Sequence, residues 1–119
     1  MYRLAFAAAL AGALLFVLPA AASAPPVGTL PPGPLTTISA KRGTLVAVAL
    51  PHRANGLVWR QARGVNPKVL REVSEADVGK DVVVVFRAVG PGRVTLAYGL
   101  TRGETTGARA SLTYRVTVR

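Results

Sequence analysis

Beyond residue 35 the chain alternates. Leu112, Tyr114, Val116 and Val118 fall on one parity, and Arg109, Ser111, Thr113, Arg115 and Thr117 on the other. A period of two marks a strand with one face in a core. Val94, Leu96 and Tyr98 repeat the pattern against Arg93, Thr95 and Ala97, and Val46, Val48 and Leu50 share one face earlier in the chain. Together these runs predict seven short strands, over about 36–40, 44–50, 57–62, 68–73, 82–88, 93–98 and 109–118. Turn residues such as Lys41-Arg42-Gly43 and Gly90-Pro91-Gly92 separate them, which is the spacing of an all-β sandwich or barrel. No segment after residue 36 has helical periodicity. Ser74 to Gly79 is expected to form at most one helical turn, with serine as its cap and glycine as its stop.

The pattern before residue 35 is of another kind. Arg3 precedes an apolar run from Leu4 to Leu18, broken only by Gly12 and ended by Pro19 and small residues up to Ala24. A charged start, a short apolar stretch and a small-residue site make a secretory signal, and the run falls short of the roughly 20 residues of a helical membrane span. Cleavage is expected after Ala22, because a cut after Ala24 would have to break the bond to Pro25. No cysteine follows the run, which excludes a lipid-anchored lipoprotein. Residues 23–35 carry five prolines and are expected to form an extended linker holding the domain clear of the membrane or wall. The division is then signal 1–22, proline-rich linker 23–35 and domain 36–119, and the protein is read as secreted or periplasmic.

Half of the 119 residues are apolar and there is no cysteine, so the domain relies on its core and not on disulfides. The net charge of +10 comes mostly from arginine and favours anionic partners. The basic residues are scattered and lack the aromatic platform of a nucleic-acid binder, so nucleic acid is not an expected partner. His52 is the sole histidine, and the acids are Glu72, Glu75, Asp77, Asp81 and Glu104. Nothing in their spacing assembles a nucleophile system, so an enzyme is not expected and no cofactor is implied. Glu75, Asp77 and Asp81 lie close enough in sequence to offer oxygens to calcium, but match no calcium loop and read as a solvated acidic loop. Trp59, Tyr98 and Tyr114 read as core aromatics.

Successive connections of an antiparallel sandwich alternate between its two ends. Connections 51–56, 74–81 and 99–108 share one end and are longer than 41–43, 63–67 and 89–92 at the other. Long loops on a rigid scaffold are where binding surfaces sit, so the first set marks the expected working end.

Three segments resemble the chagasin family of small exported or lysosomal-targeted inhibitors of papain-like cysteine peptidases. Gly43 to Pro51 with Gly56-Leu57-Val58-Trp59 is similar to the family's Leu-Pro, loop-closing glycine and following tryptophan. Phe86 to Tyr98 looks like its Ala-x-Gly then Val-x-Leu-x-Tyr, and Leu112 to Val118 like its closing strand. The resemblance covers residues 36–119. It implies an immunoglobulin-like β-sandwich that wedges three loops into a protease cleft, the same three that length singles out. The residues implied to meet the protease are His52, Arg53, Ala54, Asn55 and Gly56, then Gly79, then Leu100, Thr101, Arg102 and Gly103. The loops depart from the family's pattern. His52 to Gly56 stands where the family has Asn-Pro-Thr-Thr-Gly, with one residue fewer between Pro51 and the glycine, the 74–81 connection has a single glycine, and Gly99-Leu100-Thr101-Arg102 stands where Arg-Pro-Trp would follow the tyrosine.

Two other readings use different residues. A non-inhibitory envelope-binding module would hold an anionic envelope component through His52, Arg53 and Arg102 or through an outer face carrying Arg93, Arg109 and Arg115. A structural subunit would pair through the exposed side of Val82 to Val85.

Overall fold

The computed structural model describes residues 27–103 and 107–119, which form seven strands and no helix. The segment expected to be a signal peptide lies outside them, as does Glu104. The strands are β1 (Leu35–Ala40), β2 (Leu45–Pro51), β3 (Leu57–Gln61), β4 (Leu70–Val78), β5 (Asp81–Ala88), β6 (Gly92–Arg102) and β7 (Ala110–Val118). Two sheets form, one in the order β1-β7-β6-β3 and the other β2-β5-β4. All pairs are antiparallel except β1 with β7. This is the all-β sandwich expected from the alternation, in the immunoglobulin-like form that the family resemblance implied.

The sheets meet through the apolar parity of each strand. Val46, Val48 and Leu50 from β2, Leu70 from β4 and Val84, Phe86 and Ala88 from β5 pack against Val94, Leu96, Tyr98, Val116 and Val118. Phe86, Leu96 and Val116 are essentially sealed from solvent. A side chain of this kind contributes about 1.5–3 kcal/mol through burial, so this layer dominates the favourable side of folding.

Two expectations change. The fourth strand runs on to Val78 where a 74–81 loop and a helical turn were expected, and a two-residue hairpin, Gly79-Lys80, joins it to β5. Gly79 takes φ of 61° there, a conformation glycine adopts without steric cost. The sixth strand likewise continues to Arg102. The loop-length argument therefore fails, because 79–80 is the shortest connection and 62–69, at the other end, the longest. The valine run Val82 to Val85 sits in β5, the central strand of its sheet. Both its edges are already paired, and the two valines on its outward face, Val83 and Val85, are half-buried.

Residues 27–34, part of the expected extended linker, lie on the outer face of β6 and β7. The Ser111 hydroxyl donates to the Pro31 carbonyl at 2.7 Å, and the backbone N–H groups of Gly107 and Thr113 donate to Val27 and Pro34 at 3.1 Å. Proline suits this segment, since it is extended and uses its carbonyls only. The outer parity of β6 is correspondingly small, Ala97, Gly99 and Thr101, and all three are buried. A Cβ on Gly99 would lie 2.6 Å from Val27 Cγ1 and 2.9 Å from Leu30 Cδ2, so the strap requires glycine there.

Replacing Gly99 by valine is expected to lift the strap and cost about 1–3 kcal/mol. A chain starting at Leu35 should lose stability too, and in that chain Gly99→Val should cost little more, because both changes remove one contact. Urea unfolding of the four proteins checks this. Full additivity would show that the strap does not rest on Gly99.

Candidate functional site

Connections 52–56, 79–80 and 103–109 leave the sandwich at the same end. They are tied together. The His52 backbone N–H donates to Lys80 O at 2.9 Å, and the Arg102 guanidinium donates to Asn55 O at 2.6 Å. The first loop thus sits between the other two. Its tip is a tight turn, with Asn55 at φ 64° and Gly56 at φ 74°, and the Leu57 N–H reaches back to Ala54 O at 3.4 Å. Asn-Gly is the pair that tolerates two successive left-handed residues. His52, Arg53, Ala54, Asn55, Gly56, Gly79, Arg102 and Gly103 are exposed. Leu100 and Thr101 are not, being buried within β6, where the Thr101 hydroxyl donates to Gly103 O at 2.8 Å. The continuation of β6 removes both from the tip.

Sequence reasoning missed a second feature beside these loops. Between the edge strands β3 and β4 the sandwich gapes, leaving a cleft of about 330 Å³. Its apolar lining is Leu50, Trp59, Val82, Val84 and the Tyr98 ring, and its acidic lining is Glu72, Glu75 and Asp77. The register explains the acids. Residues opposed across a ladder point to the same face, and these three pair with Phe86, Val84 and Val82, the inward side of β5. A bulge at Val73 shifts the alternation by one residue, so that Glu72 before it and Glu75 and Asp77 after it all face the other sheet. Sequence parity alone separates Glu72 from the other two, and the predicted strand end at 73 hid the pattern.

The cleft has an electrostatic asymmetry. His52 Nε2 stands 3.2 Å from Asp77 Oδ1 at the mouth, where Arg53 also contributes to the lining. Below, the Tyr98 hydroxyl is buried without a hydrogen-bond partner among the described residues. Burial first, then the charges of Glu72, Tyr114 and Glu75, push its pKa far above the usual phenol value. Tyr114 packs edge-on against it at 6.4 Å and donates its hydroxyl to Ala49 O at 3.3 Å. Burial, followed by the charge of Asp81, raises its pKa as well. The Trp59 indole N–H donates to Pro51 O at 2.8 Å, which holds the ring against the cleft. Among the described residues no group of three His, Asp or Glu is placed to hold a metal ion. Glu75 and Asp77 belong to a strand face, not to the solvated loop expected. Arg93, Arg109 and Arg115 are exposed, but the strap occupies part of the outer face on which they lie.

No family model matches the sequence, and no curated protein does. Among solved structures the fold is similar to that of a cysteine protease inhibitor from Entamoeba histolytica, with a TM-score of 0.55 and 15% identity over 71% of this chain and 95% of that one. The likeness is one of fold. That neighbour is an inhibitor and not an enzyme.

A buried, unpartnered hydroxyl costs stability, so Tyr98→Phe is expected to leave stability unchanged or raise it by about 1 kcal/mol. The raised pKa works in one direction. The unfolded tyrosine releases its proton near pH 10 while the folded one keeps it, so stability falls as pH rises above about 10. Tyr98→Phe should flatten that fall, leaving the part due to Tyr114. Denaturant midpoints between pH 8 and 11 for both proteins check this.

Proposed function

We propose that this protein is an exported, chagasin-like inhibitor of papain-like cysteine peptidases, acting by loop occlusion. The carrying observation is the convergence of three connections at one end of a sandwich whose fold is shared with a cysteine protease inhibitor. The contact set is His52, Arg53, Ala54, Asn55 and Gly56 in the centre, flanked by Gly79 and by Arg102 and Gly103. Asn55 and Gly56 form the leading edge, with the Arg102 guanidinium bracing the Asn55 carbonyl from behind. The inhibitor does no chemistry. It presents backbone and small side chains that fill a cleft, and a pre-braced turn has less freedom to lose on binding. The signal-like N-terminus supports action outside the cytoplasm, where a peptidase partner would be met.

Titration of a papain-like peptidase with the purified protein should give tight inhibition that changes little between about 0.1 and 1 M salt, since a wedged interface is not screened as exposed ion pairs are. Gly56→Arg tests the wedge. Among the described residues a Cβ at Gly56 meets nothing within 4 Å, so the fold can hold the arginine at the cost of about 1 kcal/mol for its left-handed backbone. Inhibition should nevertheless weaken by about a hundredfold or more, as for loss of a central contact. Absence of inhibition by the parent protein at micromolar concentration would overturn the proposal.

A further inference from the structure

The cleft between β3 and β4 has features that loop occlusion does not use. Three of the five acids of a chain carrying net charge +10 line it. They are set inward on an edge strand that is solvent-exposed along its whole length after Leu70. Inward charges on an edge are one way of keeping a sheet from pairing with unwanted strands. That role needs no aromatic wall and no buried hydroxyl, and here both are present. Trp59 is fixed by its indole bond to Pro51. Tyr98 is 4% exposed with its hydroxyl unpartnered among the described residues, beneath the charges of Glu72 and Glu75. Tyrosine survives at this position where phenylalanine would pack without an orphaned polar atom.

The ligand chemistry follows from the donor set. Carboxylates along one wall call for a cation. They are strung along a strand and not converged on a point, so the cation is extended and carries several N–H donors. Trp59 supplies an aromatic wall for the flat face of such a group. A guanidinium meets all of these demands, being planar, weakly hydrated and able to donate to several oxygens at once. The cleft is also bordered by the open edges of β3 and β4, neither paired on its outer side among the described residues. An extended polypeptide adding to one edge would turn alternate side chains into the gap.

We propose that the β3–β4 cleft is a binding site for an arginine side chain presented by an extended segment of a partner polypeptide. Glu72 and Glu75 take the guanidinium, the Tyr98 hydroxyl accepts one of its N–H groups and Trp59 covers its flat face. Asp77, engaged with His52, and Arg53 sit at the mouth and set a preference for a single positive charge. The site shares His52 and Arg53 at its mouth with the loop end, but the residues that take the guanidinium lie outside the loops, so it stands or falls without peptidase inhibition.

Trp59 is the only tryptophan, so its emission reports occupancy. The full chain, as purified, is titrated with an acetylated, amidated peptide of alternating threonine and valine carrying one central arginine. The same peptide with citrulline, free agmatine and calcium chloride serve as the other titrants. A saturable emission change is expected with the arginine peptide, at least about tenfold weaker with citrulline, weaker with agmatine and absent with calcium. Glu72→Gln with Glu75→Gln should weaken the arginine peptide by about tenfold or more while the denaturant midpoint holds or rises, and Tyr98→Phe should weaken it less. Equal binding of the citrulline peptide, or no saturable change with the arginine peptide, overturns the site. Equal binding of agmatine overturns the polypeptide as its source, and a matching response to calcium overturns guanidinium recognition. Because no peptidase is present, failure here is separable from failure of inhibition.

Discussion

Carboxylates cannot be sealed into an apolar core without a partner, and this constraint shapes the sandwich. On the side where β2 lies across from β7, both sheets present valine, leucine and aromatic side chains, and Tyr114 reaches across to the Ala49 carbonyl. On the other side β4 presents Glu72, Glu75 and Asp77 inward. The sheets cannot close there, and they leave the cleft that Trp59 and Tyr98 wall. One inserted residue, Val73, decides this. Without the bulge Glu75 and Asp77 would turn outward and only Glu72 would face the gap.

The loop end depends on the same framework by another route. The β4–β5 hairpin is so short that its Lys80 carbonyl can anchor the His52 amide, and the extended β6 carries Arg102 far enough to hold Asn55. The three connections are therefore braced by strands that outrun their hydrophobic cores. Strand extension costs two contact candidates, Leu100 and Thr101, and supplies the rigidity of the remaining ones.

The sequence made the strand count and the core legible because alternation is strong where one face is buried and the other wet, as in Leu112 to Val118. It failed where that condition fails. In β4 both faces are wet after Leu70, so no parity marks residues 74–78 as strand, and acids on the inner face read as a loop. In β6 both faces are buried from Ala97 to Thr101, so the apolar run there lost its alternation and the strand was ended too early. The cause of the second failure is the proline-rich strap, whose contact with Gly99 depends on pairing across the fold and has no local signature. The loop end was singled out for a reason that did not hold, connection length; what the fold does show is that antiparallel topology brings those three connections together whatever their length.

The last residues give the domain a polarity. Arg119 closes the far end of the sandwich, its amide bonded to Ala40 O and its carbonyl taking the Arg42 amide. Anything joined there leaves from the pole opposite Asn55 and Gly56. A surface or carrier attached at Arg119 would hold the loop end outward, while one joined ahead of Val27 would approach along the flank that the strap covers. The same domain would therefore face its surroundings differently according to which terminus tethers it.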